Sequence, residues 1–306
     1  MAAHDARYLP GTTKRPVLLA WLAMLLVSDL PNIIWHHAAG AAVPGWLLGA
    51  KIGLLASFAV ATLALRAMRP LRAFALVLLV LFLALGGTGL VQRTAWFQRT
   101  FNYDGVPFFL GYLAIFVLDI VVAAAVVATL WALKRGRRGF FLVKGELRAP
   151  IEPVRWLGIR GGESWRTFGW IFAFAAGLCV LVPTALAIRP SEETLLRTLP
   201  LLPAVLVLAA VNAFTEEAYF RCSFLATLPN AVGRNHALLM SVVFFGLAHY
   251  LGGSPPGVVG AAMTGFLAYL LAKAMLETRG FVWPWFIHFV PDVVVFASYA
   301  ALYVQQ

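Results

Sequence analysis

The chain has 306 residues, of which 61% are hydrophobic and only 12% are charged, and its mean hydropathy is +0.84. A soluble domain usually has about 25% charged residues, so this composition excludes an ordinary soluble fold and favours a membrane protein. The formal net charge is +11, but the basic residues lie in short segments between apolar runs, which is the pattern of membrane topology. We therefore expect the lipid bilayer as a partner and no nucleic acid.

The apolar runs predict the secondary structure in chain order. A membrane-spanning helix needs roughly 20 apolar residues. The runs that approach this length lie near residues 17–35, 46–65, 73–91, 107–133, 168–188, 200–226, 237–255, 257–277 and 282–303. They predict an all-α, polytopic transmembrane helical bundle with about eight or nine spans.

The runs fall into two groups on either side of a basic segment. Residues 1–133 contain the first four runs and predict an N-terminal four-helix transmembrane part. Residues 134–167 contain nine Lys and Arg together with Trp, Phe and Leu. This segment is predicted to be a loop that either lies at the cytoplasmic membrane interface or is simply solvated. Residues 168–306 hold most of the charges within apolar runs and are predicted to be the transmembrane domain that holds the functional site.

The distribution of Lys and Arg predicts the orientation in the membrane. The N-terminal tail, with Arg7, Lys14 and Arg15, and every second loop after it hold 17 of these residues, whereas the alternate loops hold four. Cytoplasmic loops carry the excess of Lys and Arg, so the N-terminus is predicted to be cytoplasmic. The richness in Ala, Leu and Arg suggests a bacterial chain, and we expect an integral protein of the inner (plasma) membrane.

Charged side chains within the apolar runs are the candidates for function, because placing a charge in the bilayer costs several kcal/mol. In the motif TEEAYFR, Glu217 and Arg221 are four residues apart, so they share a helix face and can pair. Glu216 points about 100° away from Glu217 and is free for another task. We interpret Glu217 and Arg221 as a structural pair and Glu216 as a candidate general base.

Two later motifs add histidines. FGLAH places Phe245 one turn before His249, and HFVPD places His288 four residues before Asp292. Asp292 can accept a ring N–H from His288, either as a purely structural contact or to orient a histidine that polarises a carbonyl or binds a metal. Unpaired polar groups are expensive in hydrocarbon, so the three motifs are expected to converge on one polar site.

The three motifs together resemble a known family. EEAYFR fits EExxxR, FGLAH fits FxxxH, and HFVPD fits HxxxN/D, with the run RGFVWPWFIHF leading into the last. In this order on successive hydrophobic segments they resemble the CAAX-protease and bacteriocin-processing family of intramembrane proteases, also called the type II CAAX prenyl endopeptidase or ABI family. The resemblance covers roughly residues 168–303. One departure is Asp292, where many relatives have Asn, a residue that can donate a hydrogen bond to an oxyanion.

The resemblance implies an endopeptidase that hydrolyses a peptide bond of a membrane-associated or exported protein or peptide. It implies that Glu216 activates water, that His249 assists, and that His288 with Asp292 stabilises the oxyanion, while the Glu–Arg pair of EEAYFR supports the site. A glutamate-type reaction without a metal is expected. The alternative is a zinc-dependent one, with Zn²⁺ held by Glu216, His249 and His288.

Two functions of other classes fit the same residues. A membrane transporter could relay protons or bind substrate through intramembrane Glu, His and Arg, although the internal repeats common in transporters are not visible here. A non-catalytic membrane scaffold could keep the family's fold and use it to bind partners. Asp29 and Asp119 are two further acids in apolar runs, and the sequence shows no obvious basic partner for either.

Overall fold

The computed structural model describes residues 14–102, 105–133, 135–252 and 255–305; Arg7 and Lys134, two of the residues used to predict orientation, lie outside this part. The described chain is helical, without a β-strand, and contains two isolated β-bridges. Its α-helices are α1 (Lys14–Val27), α2 (Leu30–Ala39), α3 (Trp46–Ala64), α4 (Arg72–Gln92), α5 (Ala95–Phe101), α6 (Phe108–Ala132), α7 (Trp165–Ile188), α8 (Glu192–Thr198), α9 (Leu202–Glu216), α10 (Cys222–Thr227), α11 (Pro229–Val232), α12 (Arg234–Gly252), α13 (Gly257–Thr278) and α14 (Val282–Val304). The all-α prediction is confirmed.

Eight helical stretches in the described part are long and apolar enough to cross a membrane. One of them, Arg66–Gln92, begins with a 3₁₀ turn before α4, and another, Glu192–Thr227, runs from α8 through α10. The number of candidate spans in the described part rises to nine if the bent pair of α1 and α2 counts as a single span. The prediction of about eight or nine spans in an integral membrane protein is therefore confirmed.

The first predicted span is broken near its middle. The axes of α1 and α2 differ by 48° across a break at Ser28 and Asp29. Pro31, in the first turn of α2, has no N–H with which to continue the hydrogen bonds of α1. The backbone N–H of Leu30 instead donates to the hydroxyl of Ser28 at 3.2 Å. The sequence run 17–35 is therefore two helices joined by a polar bend.

Helix α14 lies against α7, α9 and α13, and α12 packs along α13. Small residues on α7 permit this close approach. A Cβ at Gly169 would lie 2.1 Å from the indole of Trp283, and one at Gly177 would lie 2.9 Å from Val290. Small residues at membrane helix interfaces let the backbones come close together. The packing places α14 next to α9, and these two helices carry two of the three motifs.

The N-terminal helices share a hydrophobic core with the C-terminal ones. Phe74 of α4 contacts Phe224 of α10 with ring centroids 5.3 Å apart, and Phe82 of α4 lies 6.4 Å from Phe244 of α12. These rings belong to one buried cluster that also includes residues of α1, α3, α6 and α13. The helices before residue 133 therefore support the helices that carry the motifs.

The segment between α6 and α7 folds against the helices. Phe140 is buried in the core that α4 and α10 share, and five more side chains of the segment and of the start of α7 are buried together: Ala149, Ile151, Val154, Ile159 and Trp165. These five form one hydrophobic cluster with residues of α7, α13 and α14. The interpretation of this segment as a simply solvated loop is therefore wrong, because its apolar side chains are covered by the bundle.

A buried carboxylate anchors the same segment. Glu277 of α13, whose side chain is 2% exposed, accepts hydrogen bonds from the indole N–H of Trp165 at 2.7 Å and the backbone N–H of Glu152 at 3.1 Å. It also pairs with Lys273, one turn earlier on α13. Each Glu277 oxygen thus has a partner, which offsets the cost of burying the charge.

Two glycines allow the segment to reach the turn between α13 and α14. The backbone N–H of Glu146 donates to the carbonyl of Thr278 at 2.7 Å. Gly145 has a φ of +74°, and a Cβ there would lie 2.5 Å from the Cα of Gly280. A side chain at this position would therefore push the segment away from the start of α14.

Candidate active site

The motif TEEAYFR lies where α9 ends and a single π turn, Glu217–Arg221, begins. Such π turns are rare inside α-helices and are frequent at functional sites. The side chains of Glu217 and Arg221 are both 0% exposed, and Nη1 of Arg221 lies 3.4 Å from Oε1 of Glu217. The two residues thus form a fully buried ion pair, as their spacing predicts. Glu216, by contrast, is 16% exposed.

His288 of α14 lies among three carboxylates. Its Nδ1 is 2.9 Å from Oε1 of Glu217. Its Nε2 is 3.6 Å from Oε2 of Glu216 and 3.7 Å from Oδ1 of Asp292. The His288 side chain is only 5% exposed. The short contact at Nδ1 fixes the ring, so that Nε2 is the nitrogen that faces Glu216 and Asp292.

Phe245 of α12 links the remaining side chains of the motifs. The guanidinium carbon of Arg221 lies 3.8 Å from the centroid of the Phe245 ring, which is a cation–π contact in a buried setting. The same ring meets His288 edge-on at 5.9 Å and lies 4.3 Å from the ring of His249. Phe245 is therefore in contact with residues of all three motifs.

His249 joins this group less directly than the other residues. Its Nδ1 lies 2.9 Å from the carbonyl oxygen of Phe245, so an Nδ1–H would donate to this oxygen and leave Nε2 as an acceptor. Within the described residues, no hydrogen bond or ion pair joins His249 to Glu216 or His288. The structure thus brings Glu216, His288 and Asp292 together, and His249 joins them through its contact with the Phe245 ring.

Asn212 is a member of the site that the motifs do not include. Its amide Nδ2 donates to Oδ2 of Asp292 at 3.0 Å, linking α9 to α14. A signal was present in the sequence, because Asn212 is a polar residue in an apolar run and lies four positions before Glu216, on the same helix face.

The two unexplained acids have different surroundings. Asp29, at the bend between α1 and α2, pairs with Lys51 of α3 at 3.6 Å and accepts a hydrogen bond from Asn32 at 2.6 Å. Asp29 therefore has a basic partner that was not obvious from the sequence, because the partner comes from the following helix. Asp119 lies on α6, which packs against α9 and the π turn, within electrostatic reach of Glu216.

A zinc site needs at least three protein donors that converge on one point. In the part of the chain that the structure describes, no group of three or more His, Cys, Asp or Glu side chains is arranged to hold a metal ion. Glu216, His249 and His288 therefore do not form a three-ligand set in this arrangement, and Nδ1 of His288 is already engaged by Glu217. The set does not fit a zinc site as it stands.

A helical membrane bundle that buries three carboxylates, a histidine and an arginine at one point defines a polytopic membrane protein with an intramembrane polar site. Residues 197–294 match the family model described as type II CAAX prenyl endopeptidase Rce1-like. The match confirms the family resemblance and runs from the end of α8 into α14, across every residue of the site. The chain is therefore similar, over about a third of its length, to a family of CAAX-type intramembrane proteases. No curated protein and no solved structure matches the chain.

Proposed function

We propose that this protein is an intramembrane endopeptidase in which Glu216 activates the water that attacks the scissile carbonyl. The observation that supports this most strongly is the position of the Glu216 carboxylate beside Nε2 of His288, with Oε2 free of any hydrogen bond among the described residues. A carboxylate without a strong partner of its own can accept a proton from water.

In the proposed reaction, Glu216 takes a proton from water as the water oxygen bonds to the carbonyl carbon. The carbonyl oxygen becomes an oxyanion, and a protonated His288 donates its Nε2–H to it. The proton held by Glu216 then passes to the leaving amine as the C–N bond breaks, which restores the carboxylate. His249 would assist by accepting a hydrogen bond from the water at Nε2, because its Nδ1 faces a backbone carbonyl.

The supporting residues hold the histidine and its charge. Glu217 would accept the Nδ1–H of His288 and so fix the ring orientation, a role more specific than pairing with Arg221. Asp292 faces the same ring at Nε2. A charged imidazole can donate from both nitrogens, with one N–H to Glu217 and the other to the oxyanion.

We propose that the reaction needs no metal. The support is the donor geometry, in which the one histidine among the carboxylates already contacts Glu217. The measurement is peptide cleavage by protein dialysed against a strong chelator and then resupplied with zinc. We expect the same turnover after dialysis and after zinc is added back. If the chelator abolishes cleavage and zinc restores it, the metal-dependent alternative is correct.

The expected substrate is a protein or peptide that reaches the bilayer, and the expected location is a bacterial inner membrane with the N-terminus in the cytoplasm. Reporter fusions after positions 40, 70, 100 and 145 test the orientation. External signals at 40 and 100 and cytoplasmic signals at 70 and 145 are expected. A cytoplasmic signal at 40 would instead show that the bent pair of α1 and α2 does not cross the membrane.

The central test is cleavage in proteoliposomes by the purified full chain. Two internally quenched peptides serve as reporters, one with a prenylated CAAX end and one with a C-terminal hydrophobic tail, and mass spectrometry identifies the cut. Glu216→Gln should abolish cleavage, because the nearly isosteric amide cannot accept the proton. The matched control is Glu192→Gln at the exposed start of α8, which should retain normal turnover.

Normal turnover by Glu216→Gln would show that the general-base assignment is wrong. If the wild type cleaves neither peptide but accumulates a labelled solute in the vesicles, the transporter alternative replaces the proposal. If the wild type neither cleaves a peptide nor accumulates solute, and if Glu216→Gln leaves its binding to a membrane partner unchanged, the scaffold alternative replaces the proposal.

A further inference from the structure

The carboxylate of Asp292 faces two different groups. Oδ2 accepts the hydrogen bond from Asn212 at 3.0 Å, and Oδ1 lies 3.7 Å from Nε2 of His288. The reaction proposed above uses the second contact and leaves the first without a role. Asn212 is therefore a polar side chain of the site whose purpose is not yet accounted for.

The surroundings make this contact strong. Asp292 is only 9% exposed and Asn212 is half-buried, so water competes little for either group. A hydrogen bond to a charged acceptor is roughly twice as strong as one between neutral groups. The terminal torsion of an aspartate is otherwise broad, so the carboxylate could turn about this bond if Oδ2 had no donor.

We propose that Asn212 is a positioning residue that fixes the Asp292 carboxylate and thereby the orientation of His288. It acts through Asp292 and touches no reacting atom. Its catalytic meaning rests on the proposed function, whereas the control of His288 can be measured without any substrate. Asn212 lies on α9 one turn before Glu216, so it also couples the helix of the general base to the helix of the histidine.

The first experiment reads His288 directly. The full chain is labelled with ¹⁵N-histidine, purified in detergent and studied by NMR at one fixed pH, and the His288 signals are identified by their loss in His288→Gln. Asn212→Ala should shift both ring-nitrogen signals of His288. The matched control is Asn32→Ala, which also removes an amide that donates to an aspartate, Asp29, and should leave these signals in place. Unchanged His288 signals in folded Asn212→Ala would overturn the proposal.

The second experiment exchanges the two groups. Asn212→Asp places two carboxylates face to face, and it should lower kcat more than Asn212→Ala does. In the double variant Asn212→Asp with Asp292→Asn, the new amide at 292 can donate to the new carboxylate and keep its oxygen toward His288. We expect the double variant to recover about tenfold or more of the kcat lost in Asn212→Asp, the size of one hydrogen bond to a charged group. A residue that only fills space would not show this dependence on which helix carries the donor.

The outcomes separate this inference from the proposed function. For Asn212→Ala we expect a fall in kcat of about ten- to a hundredfold with little change in KM, on the reporter peptide that the wild type cleaves. Two results together would overturn the inference and leave the proposed peptidase activity intact. They are a kcat of the double variant no higher than that of Asn212→Asp, and a kcat of Asn212→Ala equal to that of the wild type. If the wild type cleaves neither peptide, the proposed function fails, and the His288 signals still decide whether Asn212 positions the ring.

Discussion

Replacing Arg221 should destabilise the protein far more than replacing a surface arginine in the same local pattern. Arg221 and Glu217 are four residues apart and fully buried, whereas Arg197 and Glu193 have the same spacing but are 63% and 71% exposed. The two Glu–Arg pairs share their spacing but differ in burial, and Arg221 also contacts the Phe245 ring. Arg221→Ala and Arg197→Ala form a matched comparison of what burial does to an ion pair.

The structure sets the expected magnitudes. Removing one partner of a buried ion pair costs about 3–5 kcal/mol, because the other charge stays buried without compensation. His288 still lies 2.9 Å from Glu217 and can offset part of that charge, so we expect the low end for Arg221→Ala, about 3 kcal/mol. An exposed i,i+4 pair contributes about 0.3–0.5 kcal/mol. At about 2 °C per kcal/mol for a chain of this size, the shifts in Tm are about 6 °C and about 1 °C.

The chain contains a convenient reporter for this measurement. Cys222 follows Arg221 directly and is buried, whereas Cys179 is exposed. In a Cys179→Ser background, a thiol-reactive fluorogenic dye labels Cys222 as the site unfolds. The temperature of half-maximal labelling in detergent then gives Tm for Arg221→Ala, for Arg197→Ala and for the parent.

A third variant tests the cause. Glu217→Gln combined with Arg221→Met removes both charges, and it should be more stable than Arg221→Ala alone because no uncompensated carboxylate remains. If Arg221→Ala and Arg197→Ala show equal Tm values, or if the double variant is the least stable of all, the buried pair does not act as described and the reasoning fails.

Two further predictions use matched controls. Gly145→Ala should lower Tm clearly more than Gly158→Ala does, because its Cβ would lie 2.5 Å from the Cα of Gly280. Gly158→Ala, with a similar φ of +72° and nothing within 4 Å, should cost only the backbone strain of about 1–3 kcal/mol, which is about 2–6 °C in Tm; equal losses in thermal unfolding would refute the close-approach argument. His249→Ala should lose most cleavage activity and keep its Tm, whereas the exposed His36→Ala should keep both; full peptide turnover by His249→Ala would remove His249 from the reaction.

The sequence predicted the features that depend on local composition. Hydrophobic runs about 20 residues long are enough to define spanning helices, because each such helix satisfies its own backbone hydrogen bonds and exposes apolar side chains to lipid. The i,i+4 spacing of Glu217 and Arg221 likewise predicted a pair that the structure contains. Three motifs in order also predicted a resemblance to the family, which the match to residues 197–294 confirms.

The hydrogen-bond and ion-pair partners of each polar atom could not be predicted from the sequence. These partners depend on how each helix is rotated about its axis and on the π turn at Glu217. The contacts decided in this way are those of His288 Nδ1 with Glu217, of Asn212 with Asp292 and of Lys51 with Asp29. Those rotations are set by packing between helices distant in sequence. The sequence by itself therefore determined which residues could be placed in the membrane and on which helix face, and the tertiary structure alone decided which of their atoms meet.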